Sequence, residues 1–132
     1  MGYNPYSGGI KRWAADDWFS KCVRLAADHQ CEHCRREATD CAHIYGRRHA
    51  ALRWDKDNAL ALCRSCHRYF EENPIDMAQF LDTKYPGRKE RLLVKRRGKL
   101  KNTPETRKAI SDHYREEYRR MEETGERTFR NW

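Results

Sequence analysis

The chain has 132 residues, 38% apolar and 36% charged, enough for one modest core but too polar to fill a large one. No apolar run approaches the length that spans a bilayer, so membrane attachment is not expected. The N-terminal stretch lacks a basic region followed by an apolar one, so no secretory signal is expected and the cytosol is the expected compartment.

In chain order, residues 1–13 are rich in Gly, Tyr and Asn and read as a flexible N-terminal arm. "DDWFSKCVRLAADHQ" predicts a helix with Asp16 as N-cap and Trp18, Cys22, Leu25 and Ala26 on one stripe. A turn at Cys31 and Cys34 and an extended segment around Thr39 to Tyr45 follow. "RHAALRWDKDNALAL" reads as a loop with a short strand near its end, in which Trp54 should join the core, and "CRSCHRYFEE" starts a helix. Asn73-Pro74 and Thr103-Pro104 each announce a further helix, since Pro suits the first helical turn. The second of these should run to about Glu123, with Ile110, Tyr114, Tyr118 and Met121 on a face that packs on its own core or on a second copy of the chain in a homodimer.

Charge is unevenly placed. Residues 1–83 balance 12 Lys/Arg against 12 Asp/Glu, whereas residues 84–132 carry 16 against 8, which accounts for the whole formal +8. The densest stretch, Lys84 to Lys101, has nine basic residues and one acid, Glu90. Such a run tracks a phosphate backbone, or else is a solvated tether. If it binds DNA, neutralising Lys95, Arg96 and Arg97 flattens the salt dependence by about three units of slope.

Six cysteines in a reducing compartment point to metal rather than to disulfides. Cys31-x-x-Cys34 and Cys63-x-x-Cys66 can each place two thiolates on one ion, and together they complete the tetrahedral shell of a structural zinc. Cys63-x-x-Cys66-His67 alone would also suit covalent haem attachment, but that reading leaves Cys31 and Cys34 unexplained, so no haem is expected. Cys22 and Cys41 read as packed thiols. His67 is then available for other work, on the first turn of a helix anchored at the metal.

The order His43, Asn58, Cys63-x-x-Cys66-His67 resembles that of the HNH nucleases. Through "DCAHIYGRR" and "LRWDKDNALALCRSCH" it is most similar to the phage recombination nucleases of the NinG (Rap) type, over about residues 16–80. The resemblance implies an α+β fold: a small zinc-stabilised ββα-metal core flanked by helices. It places the nuclease domain at 14–83, with a basic segment and C-terminal helix at 84–132. It implies metal-dependent hydrolysis of DNA phosphodiester bonds, with His43 as general base, Asn58 bracing the loop and His67 holding a catalytic Mg²⁺ or Mn²⁺ distinct from the zinc. The position before the base, where many HNH enzymes carry a metal ligand, is Ala42. Asp40 is the first candidate for the second ligand, although strand alternation puts it on the opposite face from His43; its other reading is a charge partner for Arg47 or Arg48. His49 is a weaker candidate. Arg47 and Arg48 follow the base closely enough to clamp a phosphate, and Arg53 is expected to reach the backbone. A zinc module that binds nucleic acid without cutting it is the alternative.

Overall fold

The computed structural model describes residues 10–132. Among them are a two-stranded antiparallel sheet and six helices: α1 (Ala14–Ala26), β1 (Asp40–His43), α2 (Ala50–Arg53), β2 (Ala59–Leu62), α3 (Arg64–Glu72), α4 (Pro74–Lys84), α5 (Arg88–Lys95) and α6 (Pro104–Thr124). The fold is mixed α+β and rich in helix. None of the described helices is long and apolar enough to cross a membrane.

The strands pair in simple register, Asp40 with Leu62 through His43 with Ala59. Side chains alternate between the two faces of a strand, and here each face is covered. Cys41, Ala59 and Ala61 face a cluster built with Ala15, Phe19, Cys22 and Val23 of α1 and Ile110, Tyr114 and Met121 of α6. Ala42, Leu60 and Leu62 face a second cluster with Cys31, Cys63, Cys66, Phe70 and Leu81. All four residues of β2 are buried.

Both proline-led helices begin where expected. Thr103 caps α6, its Oγ1 accepting from Thr106 N at 3.2 Å, and Gly125 ends it with a left-handed φ of 76°. The apolar stripe of α6 is occupied within the chain: Ile110, Tyr114 and Met121 are fully buried, and Tyr118 packs on Trp18 with ring centroids 5.8 Å apart. Tyr114 Oη also donates to Trp54 O at 2.5 Å, tying α6 to the loop before β2. Trp54 lies in the core as expected.

Several expectations are corrected. Helix α1 starts at Ala14 with Trp13 as N-cap, and Asp16 sits one turn in, accepting from Trp13 N at 2.8 Å. The expected arm at 1–13 falls outside the described residues up to residue 9, while the next few are tied down: Lys11 O accepts from Arg53 Nη2 at 2.6 Å and Arg12 pairs with Asp17. The segment read as a loop contains the single turn α2 and a 3-10 turn at Lys56–Asn58. The basic run folds into α5, because Leu92 is fully buried and Lys95 and Arg91 meet Asp57 at 2.9 and 3.2 Å.

Arg53 is the clearest departure. Its side chain is buried, and Nε and Nη2 reach the buried Asp16 carboxylate at 2.9 and 2.6 Å. The guanidinium joins α2 to α1 and is closed to a DNA backbone. Truncating one partner of such a pair leaves a buried charge uncompensated. Arg53→Ala is therefore expected to lower unfolding free energy by about 3–5 kcal/mol in urea titration, with any loss of DNA affinity following only from lost folded protein.

Candidate functional site

The four cysteines of the two CxxC pairs converge. Their sulfurs all lie within 4.8 Å of one another, and Cys34 Sγ stands 3.6 Å from Cys63 Sγ. A tetrahedral zinc with bonds of about 2.3 Å needs sulfurs about 3.8 Å apart, so this cluster could hold a structural, zinc-like metal. Each knuckle folds over its first sulfur: Cys34 N donates to Cys31 Sγ at 3.5 Å and Cys66 N to Cys63 Sγ at 3.4 Å. Burial raises the Cys31 thiol, but backbone N–H donors led by that of Cys34 outweigh it and bring the group down to about 7, while burial and the neighbouring sulfurs push the Cys66 thiol up. The first knuckle is sewn to β2 by Glu32, whose N–H donates to Ala61 O at 2.9 Å and whose carboxylate accepts from Ala61 N at 2.6 Å. His33, not singled out by sequence, places Nδ1 3.2 Å from Cys66 Sγ.

Asn58 is fully buried and clamps the loop between the strands. Its Nδ2 donates to Tyr45 O at 2.9 Å and to Leu52 O at 3.2 Å, and its Oδ1 accepts from Tyr45 N at 2.8 Å. His43, half-buried at the end of β1, sets Nε2 3.1 Å from Arg53 O. A carbonyl can only accept, so Nε2 carries the proton and Nδ1 the lone pair. Burial, opposed by this hydrogen bond, pushes the imidazole down to about 4, and the ring is neutral at physiological pH.

On the opposite face, Asp40 Oδ2 lies 2.9 Å from His67 Nδ1. His67 Nε2 in turn lies 3.1 Å from Glu71 Oε1, one helical turn on. The two ring nitrogens thus each face a carboxylate. Burial would raise Asp40, but hydrogen bonds from Arg64, His67 and Thr39 hold it at about 2. Its charge partner is Arg64, at 2.8 Å, rather than Arg47 or Arg48. Sequence reasoning passed over Glu71 and Arg64; the i, i+4 step from His67 was the available signal for the first.

Strand alternation holds, with no bulge, so Asp40 and His43 do project to opposite faces. They are nonetheless brought into one cleft of about 510 Å³, because it wraps the free edge of β1 from α1 to α3; Asp40, Cys41, His43, Arg47 and His67 all line it. Arg24, Arg47 and Arg68 also line it with no carboxylate within ion-pairing distance among the described residues. Arg47 is half-buried, with Nη1 shut from water and without an acceptor. Arg48 is exposed and outside the cleft. His49 stacks edge-on against Tyr45 and lines a different groove, with Arg96. Of the basic trio, Lys95 is paired with Asp55 and Asp57 at 3.0 and 2.9 Å, while Arg96 and Arg97 are exposed.

No family model matches the chain, nor does any curated protein or solved structure.

Two outcomes follow from this geometry. Elemental analysis should find one zinc per chain, and stripping it with a strong chelator should lower the thermal midpoint, with zinc restoring it, since metal binding is coupled to folding. For His43, the unfolded chain takes up a proton below about 6.5 and the folded chain only near 4, so stability falls as pH drops across that window. The slope is at most about 1.4 kcal/mol per pH unit. Urea midpoints from pH 7 to 4.5 should show His43→Asn with a flatter dependence than the parent.

Proposed function

We propose that the chain is a metal-dependent DNA endonuclease of HNH type, built on β1, β2 and α3, with the four cysteines holding a structural zinc. A role in phage-type recombination or DNA processing comes from the resemblance to the NinG type. The observation that carries the reading is the Asp40–His67 pair, 2.9 Å apart, in the same cleft as a neutral imidazole whose Nε2 is held by Arg53 O.

The chain's own groups divide the work. His43 Nε2–H is anchored on Arg53 O, which leaves Nδ1 to take a proton from a water attacking the phosphodiester. Asn58 holds the Tyr45–Leu52 loop, so that His43 and Arg47 keep their spacing. Arg47, Arg24 and Arg68 offer guanidinium donors to the phosphate oxygens. Asp40 Oδ2 and His67 Nδ1 would hold the divalent ion, with Glu71 keeping the proton on Nε2 and so aiming Nδ1 at the site. When bound, Mg²⁺ or Mn²⁺ supplies Lewis-acid stabilisation of charge on the phosphorus centre and the leaving oxygen. Mg²⁺ typically takes one or two protein ligands and completes its shell with water and phosphate, so two donors suit it.

The alternative, a zinc module that binds DNA without cutting it, draws on Ala42, which is 1% exposed and packs in the core where many HNH enzymes carry a ligand. A plasmid-nicking assay separates the two. Purified protein with Mg²⁺ or Mn²⁺ is expected to nick, with His43→Ala lowering the rate by about 100- to 10,000-fold at unchanged DNA affinity; binding without metal-dependent nicking selects the alternative. Replacing Arg96 and Arg97 together should flatten the salt dependence of binding by about two units of slope. Lys95→Ala should instead act mainly on stability.

A further inference from the structure

At the end of α1 remote from His43, between the first cysteine knuckle, α5 and the C-terminal tail, lies a cavity of about 560 Å³, within the size range of small-molecule sites. It shares no lining residue with the cleft of Asp40 and His43. Its floor includes Val23, Ala27 and Ala59; five of its lining residues are Lys or Arg, and two, Glu32 and Asp57, are acidic.

The balance is basic, although Arg127 is paired with Asp28 and the Glu32 carboxylate, which meets only neutral donors, keeps its negative charge. The Glu32 carboxylate already accepts from Ala61 N and from Tyr85 Oη, and Asp57 is engaged by Lys95 and Arg91. Arg88 approaches Asp57 only to 4.0 Å with its side chain 15% exposed. Its guanidinium is stacked 3.9 Å over the Tyr85 ring, and Nε and Nη1 find no acceptor. Arg35, at the same cavity, has no carboxylate within ion-pairing distance among the described residues.

We infer that this cavity binds a phosphate group carried on a nucleotide-sized body: the Arg88 and Arg35 guanidinium groups supply the charge that draws the oxyanion, and the Val23–Ala27–Ala59 floor receives the body. The phosphate belongs either to a free mononucleotide or to the end of a strand. The site does not depend on the nuclease reading, because nothing in its recognition uses His43, Asp40 or His67.

The test is an amide NMR titration of the zinc-loaded full chain without divalent metal, in separate arms with thymidine 5′-monophosphate, a 5′-phosphorylated hexanucleotide and inorganic phosphate. Saturable shifts at Ala27, Ala59 and Arg88 are expected, with Kd below about 1 mM for at least one of the first two arms. The tighter of those two identifies the phosphate's source, and inorganic phosphate should bind several-fold more weakly. Arg88→Gln should weaken binding at least about tenfold by removing the charge. Ala27→Trp, which fills the floor without touching charge, should do the same. The inference is overturned if no arm saturates, if the shifts map to the His43 cleft, if inorganic phosphate binds as tightly as the nucleotide, or if both variants bind like the parent.

Discussion

The β1–β2 hairpin is four residue pairs long, too short to be stable in water without cover, and it is covered on both faces. On one side lie α1 and α6, an all-apolar packing around Phe19, Tyr114 and Met121. On the other the apolar supply is thin, and the cluster is made of cysteine sulfur with Leu60, Leu62, Phe70 and Leu81. A metal gripped by the four thiolates would hold that side together where hydrophobic burial alone is marginal.

This two-sided cover also creates the cleft. Helix α3 begins directly after β2 because Cys63 serves at once as last residue of the strand connection, N-cap and sulfur ligand candidate. The first turn of α3 therefore projects His67 back onto Asp40 at the start of β1. Across the same strand edge, α1 and the loop clamped by Asn58 bring His43, Arg24 and Arg47. The Asp40–His67 pair from one face and the neutral His43 ring from the other meet over an edge crowded with guanidinium groups.

Local signals were the legible ones. The paired cysteines, the Pro-led starts of α4 and α6 and the burial of Cys22 and Trp54 each follow from a few neighbouring residues. What depends on distant partners was not. Arg53 looks like any surface arginine until Asp16, 37 positions away, is seen to bind it. Lys95 belongs by sequence to a basic run, yet Asp55 and Asp57 claim it. The helix inside that run depends on Leu92, one buried side chain among charges. Alternation correctly put Asp40 on the far face from His43, but only the three-dimensional edge of β1 reveals that opposite faces can share a cleft.

The central claim is that Asp40 and His67 form a divalent-cation site distinct from the cysteine cluster. Anomalous diffraction from crystals of the zinc-loaded protein soaked in Mn²⁺ tests it directly. The account predicts a zinc peak enclosed by Cys31, Cys34, Cys63 and Cys66 and a separate manganese peak against Asp40 Oδ2 and His67 Nδ1. Manganese absent from that pair, or bound only elsewhere, would contradict it.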